Sequence, residues 1–290
     1  MTTAVRDAPW VADAIADEVV ADAVSVLPDH HSVSQMATFQ VCPRQWRYKY
    51  LDNVPAEFMP SSLLFGAAVH AALETIHYAV MKQGRVTIDD AIQTFTGYWA
   101  AASANNAVRF CKHETAESLH ILARSLLALY IEQHIPSLGR VLSIEERVRV
   151  ELPGMGVPVV GRIDWLAEDD HILCLADAKT ARSGFNDDKL REAKPQLALY
   201  ASVYAPLAAS LGKPLRGRFV VFRKLKQARI ETVDIGLAAA DLDRTCQMLR
   251  ETRSLIEAAH ATNSFPIRLS WACKQCVFQS RCQRECTTTD

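Results

Sequence analysis

Asp164, in the run Gly161-Arg162-Ile163-Asp164, and Asp177 with Lys179, in Asp177-Ala178-Lys179-Thr180, are the side chains from which a reaction can be built. Alternation along a strand turns Asp177 and Lys179 to one face, and pairing with a neighbouring strand brings Asp164 alongside them. Hard carboxylate oxygens then converge beside an ammonium group. That set suits Mg²⁺ or Mn²⁺ and a water to be activated, with the lysine orienting the water or neutralising charge on a phosphate. An isolated Asp-x-Lys is common and is usually an exposed ion pair. Here Asp177 follows the apolar run Ile172-Leu173-Cys174-Leu175-Ala176, so it closes a buried strand, where an unpaired carboxylate is costly.

Gln196 and Tyr200 stand four residues apart, on one helix face and about 6 Å apart along its axis. Such a pair can hold a phosphate or a base near the metal; a surface Gln and a core Tyr fit the spacing equally well. His70 lies on an apolar helix, where a lone histidine is more often packed than a ligand. From Lys213 to Arg229 run Lys213, Arg216, Arg218, Arg223, Lys224, Lys226 and Arg229 with no acidic residue among them. A run of this kind is usually a solvated strand pair. Beside a phosphodiesterase site it also makes a track for a DNA backbone, with Arg223, Lys224 and Lys226 as its centre.

The elements that must position these groups follow from the period of the apolar residues. Ser32 or Ser34 caps a helix running to about Leu51, and a second helix covers Leu63 to Val80. Residues 88 to 134 are helical, with a break near Ala104 to Arg109. The period then changes: Val141–Glu151, Val157–Ala167 and Ile172–Ala178 form a strand meander. A helix over Asp187–Ala208, strands at Arg216–Phe222 and Arg229–Ile235, and a helix over Ala238–Ala261 complete the order. This is an α/β fold, a central mixed β-sheet flanked by helices. Residues 1–31 read as an amphipathic extension, and 32–290 as a single domain that includes the helical stretch at 88–134 and a Cys-rich segment at 265–290.

The order of the motifs resembles a family. Ser32-Val33-Ser34, Cys42-Pro43 with Tyr48 and Tyr50, Phe65-Gly66 with Val69-His70 and Leu73-Glu74, Gly161-Arg162-Ile163-Asp164, Asp177-Ala178-Lys179 and Gln196 with Tyr200 look like the RecB-like nucleases of the PD-(D/E)XK superfamily. These include the nuclease domains of RecB and AddB and the CRISPR-associated adaptation nucleases. The likeness runs from about residue 32 to 286; each motif is weak and their order is specific. It implies a restriction-endonuclease-like core. It also implies His70, Asp164, Asp177 and the carbonyl of Ala178 as metal ligands, Lys179 as the catalytic lysine, and Gln196 and Tyr200 as the family's Gln-x-x-x-Tyr pair. Ile163 replaces the motif's Pro, as is frequent in this branch. The implied activity is hydrolysis of single-stranded DNA or DNA ends, in repair and recombination or in CRISPR spacer acquisition. A rival without catalysis is a DNA-binding protein of the same fold with a structural metal site.

Cys273, Cys276, Cys282 and Cys286 crowd the end of the chain, whereas Cys111, Cys174 and Cys246 are scattered singly. The tail alone favours a Cys₄ zinc site. The resemblance points instead to a [4Fe-4S] cluster on Cys42 and the Cys-x₂-Cys-x₅-Cys set Cys273, Cys276 and Cys282, joining the N- and C-terminal segments.

Nearly half of the 290 residues (49%) are apolar, enough for a core and too many for disorder. The net charge of −1 favours no class of partner, so any nucleic-acid surface must be local. No uninterrupted run of eighteen apolar residues and no basic leader occurs, which points to the cytoplasm, where eight cysteines stay reduced. There is no P-loop motif, so a helicase working with this chain is expected to be a separate polypeptide.

Overall fold

The computed structural model describes residues 26–287. In chain order the elements are α1 (Val33–Val41), α2 (Pro43–Tyr50), β1 (Met59–Pro60), α3 (Ser61–Met81), α4 (Ile88–Ser103), β2 (Val108–Arg109), α5 (Ala116–Gln133), β3 (Arg140–Val150), β4 (Val159–Glu168), β5 (Leu173–Ala181), α6 (Asp187–Ser210), β6 (Leu215–Arg223), β7 (Arg229–Gly236), α7 (Ala239–Ala261) and α8 (Gln279–Thr287). The meander expected from the alternating runs is present as β3, β4 and β5, within two residues of the expected bounds on most ends.

Five strands form one sheet in the order β3-β4-β5-β6-β7. Only β5 and β6 are parallel; the other three pairs are antiparallel. A parallel pair needs a crossover, and α6 supplies it. Each face of the sheet carries its own apolar cluster. Met36, Phe39, Trp46, Leu197, Leu249 and Ile256 bring α1, α2, α6 and α7 onto one face, and Phe65, Leu73, Phe95, Leu126 and Tyr130 bring α3, α4 and α5 onto the other. Strand β5, covered on both sides, is buried from Leu173 to Ala178, as a continuous apolar run requires.

One expected helix is divided, and another breaks where the sequence places the break. The helix expected from Ser32 to Leu51 stops at Cys42, because Pro43 disfavours helical geometry in the residue before it and starts the next helix well. Cys42 is accordingly extended (φ −158°, ψ 109°) and heads α2. Ser32, not Ser34, caps α1, its Oγ accepting from Gln35 N at 3.1 Å. The stretch 88–134 is an antiparallel helix pair whose linker carries β2, paired in parallel with β1. Helix α3 is apolar and, at 21 residues, long enough to span a bilayer, but its apolar side packs into the core with Leu64, Phe65, Val69, Leu73 and Ile76 buried.

The expected extension 1–31 lies largely outside the described residues. Where it becomes visible it already belongs to the fold: Leu27 packs on the core, and His31 bridges to Val159 at the start of β4, donating its N–H to Pro158 O at 2.9 Å.

Candidate active site

The β4–β5 ladder ends at the pair Trp165 and Ala176. The next residues on each strand are Asp164 and Asp177, so the two carboxylates face one another where the backbones part. Asp164 Oδ2 accepts the Ala178 N–H at 2.6 Å, which fixes that carboxylate across the gap. Lys179 Nζ stands 2.7 Å from Asp177 Oδ2, as the shared face of alternate residues requires. Asp177 Oδ2 is buried, and the Lys179 ammonium is the group that compensates it.

Helix α3 brings His70 over this pair. Its approach to β5 is close: a Cβ on Gly66 would lie 3.2 Å from Thr180 Oγ1, so the absence of a side chain there lets the helix settle on the strand. One turn later His70 Nδ1 reaches 3.4 Å from Asp164 Oδ2. From the other side α6 presents Gln196 and Tyr200, bonded to each other at 3.2 Å. The Tyr200 hydroxyl also accepts the Arg162 N–H at 2.9 Å, with its ring so close over Gly161 that any Cβ there would clash. The two readings of this pair are therefore both realised: Tyr200 is buried, and both residues line the cleft.

These groups open into a cleft of about 500 Å³, lined also by Glu74, Tyr98, Glu145 and Ala178. Donor atoms of His70, Glu145 and Asp164 all lie within 4.8 Å of one another. Asp177, expected among the ligands, is not in that trio and is held on Lys179. Glu145, which sequence reasoning missed, stands beside His70 and Asp164. The donor chemistry, one imidazole and several carboxylates with buried oxygens lacking hydrogen-bond partners, fits a divalent cation such as Mg²⁺ or Mn²⁺.

Electrostatics separate the carboxylates. Burial pushes the Asp164 carboxyl up, but the His70 imidazole beside it and Lys179 outweigh burial and hold it below its usual value. Burial dominates at Asp177 and raises it, with the Asp164 charge adding to the rise against Lys179. Glu145 is raised to about 7, by burial first and by Asp164 second. Lys179 loses charge stabilisation by burial and regains more from Asp177 and Asp164, so its ammonium is held above the ordinary range.

The expected basic track is a different matter. Arg223 pairs with Glu231 at 2.5 Å and donates to Arg182 O at 3.1 Å, while Lys224 is buried against Glu114 at 3.1 Å. Lys213, Arg218 and Arg229 are paired as well, with Glu168, Asp234 and Glu231. The expectation of uncompensated charge is corrected accordingly. Of the three central cations only Lys226 is exposed. Glu231 and Asp234 come from the neighbouring strand β7, just past the run, whereas Glu168 and Glu114 come from distant parts of the chain.

Elsewhere the N-terminal helices and the C-terminal tail are joined. Trp46 stacks on Phe265 with centroids 6.0 Å apart, Arg44 donates to Phe265 O at 2.9 Å, and Tyr48 donates to Glu285 at 2.5 Å. Glu57 accepts from Ser280 Oγ at 2.7 Å and from Arg281 N at 3.1 Å. Cys42, Cys273, Cys276 and Cys282 are half-buried at this junction and Cys286 is exposed. Burial raises the Cys276 and Cys282 thiols, and nearby sulfurs raise them further, Cys42 acting on both.

The family model of the PD-(D/E)XK nuclease superfamily matches residues 30–283. Among solved structures, a "Putative exonuclease" from Eubacterium rectale superposes with a TM-score of 0.56 at 14% identity, over 85% of this chain and 88% of that one. SSO0001 aligns more loosely, with a TM-score of 0.41 at 14% identity over 89% of this chain and 88% of that one. No curated protein matches. The family match spans most of the sequence and the shared fold is the restriction-endonuclease-like core, so the chain belongs to the PD-(D/E)XK nuclease superfamily.

Proposed function

We propose that this nuclease is a divalent-metal-dependent deoxyribonuclease of the RecB-like branch, hydrolysing phosphodiester bonds in single-stranded DNA or at DNA ends during repair and recombination. The observation that carries this reading is the convergence of His70, Asp164, Asp177 and Lys179 on one cleft at the open end of the β4–β5 ladder. His70, Asp164, Asp177 and the Ala178 carbonyl would hold Mg²⁺ or Mn²⁺. When bound, the ion supplies Lewis-acid stabilisation of charge building on the phosphate and favours ionisation of the attacking water. Lys179, held protonated by its acidic neighbours, offers positive charge to the phosphate instead of acting as a base. Gln196 and Tyr200 steady a phosphate or base at the cleft wall. On this reading residues 32–290 are one nuclease domain, with α4 and α5 as an insertion whose Tyr98 lines the channel, and Lys226 as the exposed contact to the DNA backbone.

The same reading places a [4Fe-4S] cluster on Cys42, Cys273, Cys276 and Cys282, at the junction of α1, α2 and the tail. Its role is to close the fold. Protein purified without oxygen should be brown and hold roughly four iron atoms per chain; stoichiometric zinc in colourless protein would refute the cluster.

The test of the activity is incubation of purified protein with end-labelled single- and double-stranded DNA in Mg²⁺, Mn²⁺ or EDTA. Cleavage with metal and none in EDTA is expected. Undiminished cleavage in EDTA would overturn the reading.

A further inference from the structure

Three acids stand in one row across three strands. The β3–β4 register pairs Ile144 with Trp165 and Glu146 with Ile163, which sets Glu145 directly opposite Asp164. The end of the β4–β5 ladder sets Asp164 opposite Asp177. Like charges facing each other across strands are destabilising, and here it happens twice in succession. Glu145 also has a left-handed backbone, φ 50°, a conformation that a glutamate adopts at a cost.

The Glu145 side chain is 13% exposed, and Arg162 Nε lies 2.6 Å from its Oε2, an ion pair without hydrogen-bonding direction. One guanidinium leaves room for a second cation where Glu145 meets Asp164, since facing carboxylates repel. The atoms placed to share one are His70 and Asp164, both within 4.8 Å of the Glu145 carboxylate.

From this row we infer that Glu145 is a further protein ligand of the divalent cation, binding it together with His70 and Asp164. The inference rests on the metal-dependent reading of the cleft. It assigns the unfavourable backbone and the facing charges to one cause: the strand is bent to deliver a third carboxylate to the ion. The competing role for Glu145 is a structural ion pair with Arg162.

Mn²⁺ binding to the full chain, followed by calorimetry and by the metal-induced rise in melting temperature, separates the two. Glu145→Gln should weaken Mn²⁺ binding by at least about tenfold, since even residues that only orient ligands change affinity by roughly 10–100-fold. Without metal its melting temperature should match or exceed that of the wild type, because a facing charge has been removed. Glu151→Gln, an exposed acid just beyond the end of the same strand, should change neither quantity. Wild-type Mn²⁺ affinity in Glu145→Gln, with a lowered melting temperature, would overturn the inference and leave the Arg162 pair in its place. Should the Gln variant fail to fold, Glu145→Asp keeps the charge and shortens the reach; unchanged Mn²⁺ affinity there would be equally fatal. A wild-type protein that binds no Mn²⁺ would overturn the metal-dependent reading itself.

Discussion

The cleft and the segment from Lys213 to Arg229 are both dense in charge, and they differ in how that charge is compensated. In the segment Lys213, Arg218, Arg223, Lys224 and Arg229 each have an acid within 3.4 Å. Glu114 shows how thorough this is: its carboxylate takes Arg182 at 2.5 Å, Lys224 at 3.1 Å and Ser61 at 2.8 Å. In the cleft the balance is different. Asp177 and Glu145 also have a cation beside them, Lys179 at 2.7 Å and Arg162 at 2.6 Å, but there carboxylates face one another and burial raises both acids above their usual values. A structural network satisfies its charges internally, whereas a site built for an external ion and an anionic substrate leaves them partly unsatisfied. Density of charge in a sequence therefore does not distinguish the two, but compensation in the fold does.

The largest test of this contrast is Asp177→Asn. Loss of the carboxylate should lower DNA cleavage by at least about a hundredfold, the scale seen when one group stabilising transition-state charge is removed. The melting temperature should change little, since the repulsion from Asp164 is relieved while Lys179 loses Asp177 and keeps Asp164. Cleavage assays beside thermal melts check both, and a protein that loses stability along with activity would place Asp177 in the structural class.

Lys224→Ala should do the reverse. Removing one partner of a buried pair strands the other, and with Arg182 still present the cost belongs at the low edge of the usual range, about 3 kcal/mol. Urea unfolding measures it. The salt dependence of DNA binding should be unchanged, and a flattened slope would restore Lys224 to the DNA track.

A smaller effect concerns pH. Although burial opposes it, bonds from Arg182, Ser61 and Lys224 hold Glu114 down to about 2, below the ordinary 4.5. A carboxyl depressed in the folded state adds stability that is complete above its unfolded value. That stability is lost as pH falls from about 4.5 toward about 2. The stability advantage of wild type over Glu114→Gln should therefore shrink across that window, as acid titration of unfolding would show; a constant difference would break the assignment. The smallest effect is expected of Lys226→Ala: weaker DNA binding for all sequences alike, with the salt slope reduced by about one. An unaltered slope would mean that this residue faces away from the DNA.

Most of the element order was legible, because alternation and helical period are properties of neighbouring residues. Asp177 and Lys179 share a face for that reason alone, and Pro43 carries the signal that ends α1 at Cys42. Asp164 opposite Asp177 follows from pairing two consecutive strands. Glu145 was hidden for a different reason: its place depends on the register across the β3–β4 turn and on a left-handed backbone, and strand alternation predicts neither. The basic run misled because the acids that pair it lie outside it: Glu231 and Asp234 follow on β7, and Glu114 is 110 residues from Lys224 in sequence.

By itself, then, the sequence determined the α/β order, the two strands that bring their carboxylates together, the lysine beside them and the Gln196 and Tyr200 spacing on one helix. Tertiary structure decided which charges are spent on holding the fold and which remain for chemistry. The physical reason is range: backbone period acts over a few residues, whereas burial and charge compensation depend on which distant segments meet, and a charge becomes available or neutralised only when they do.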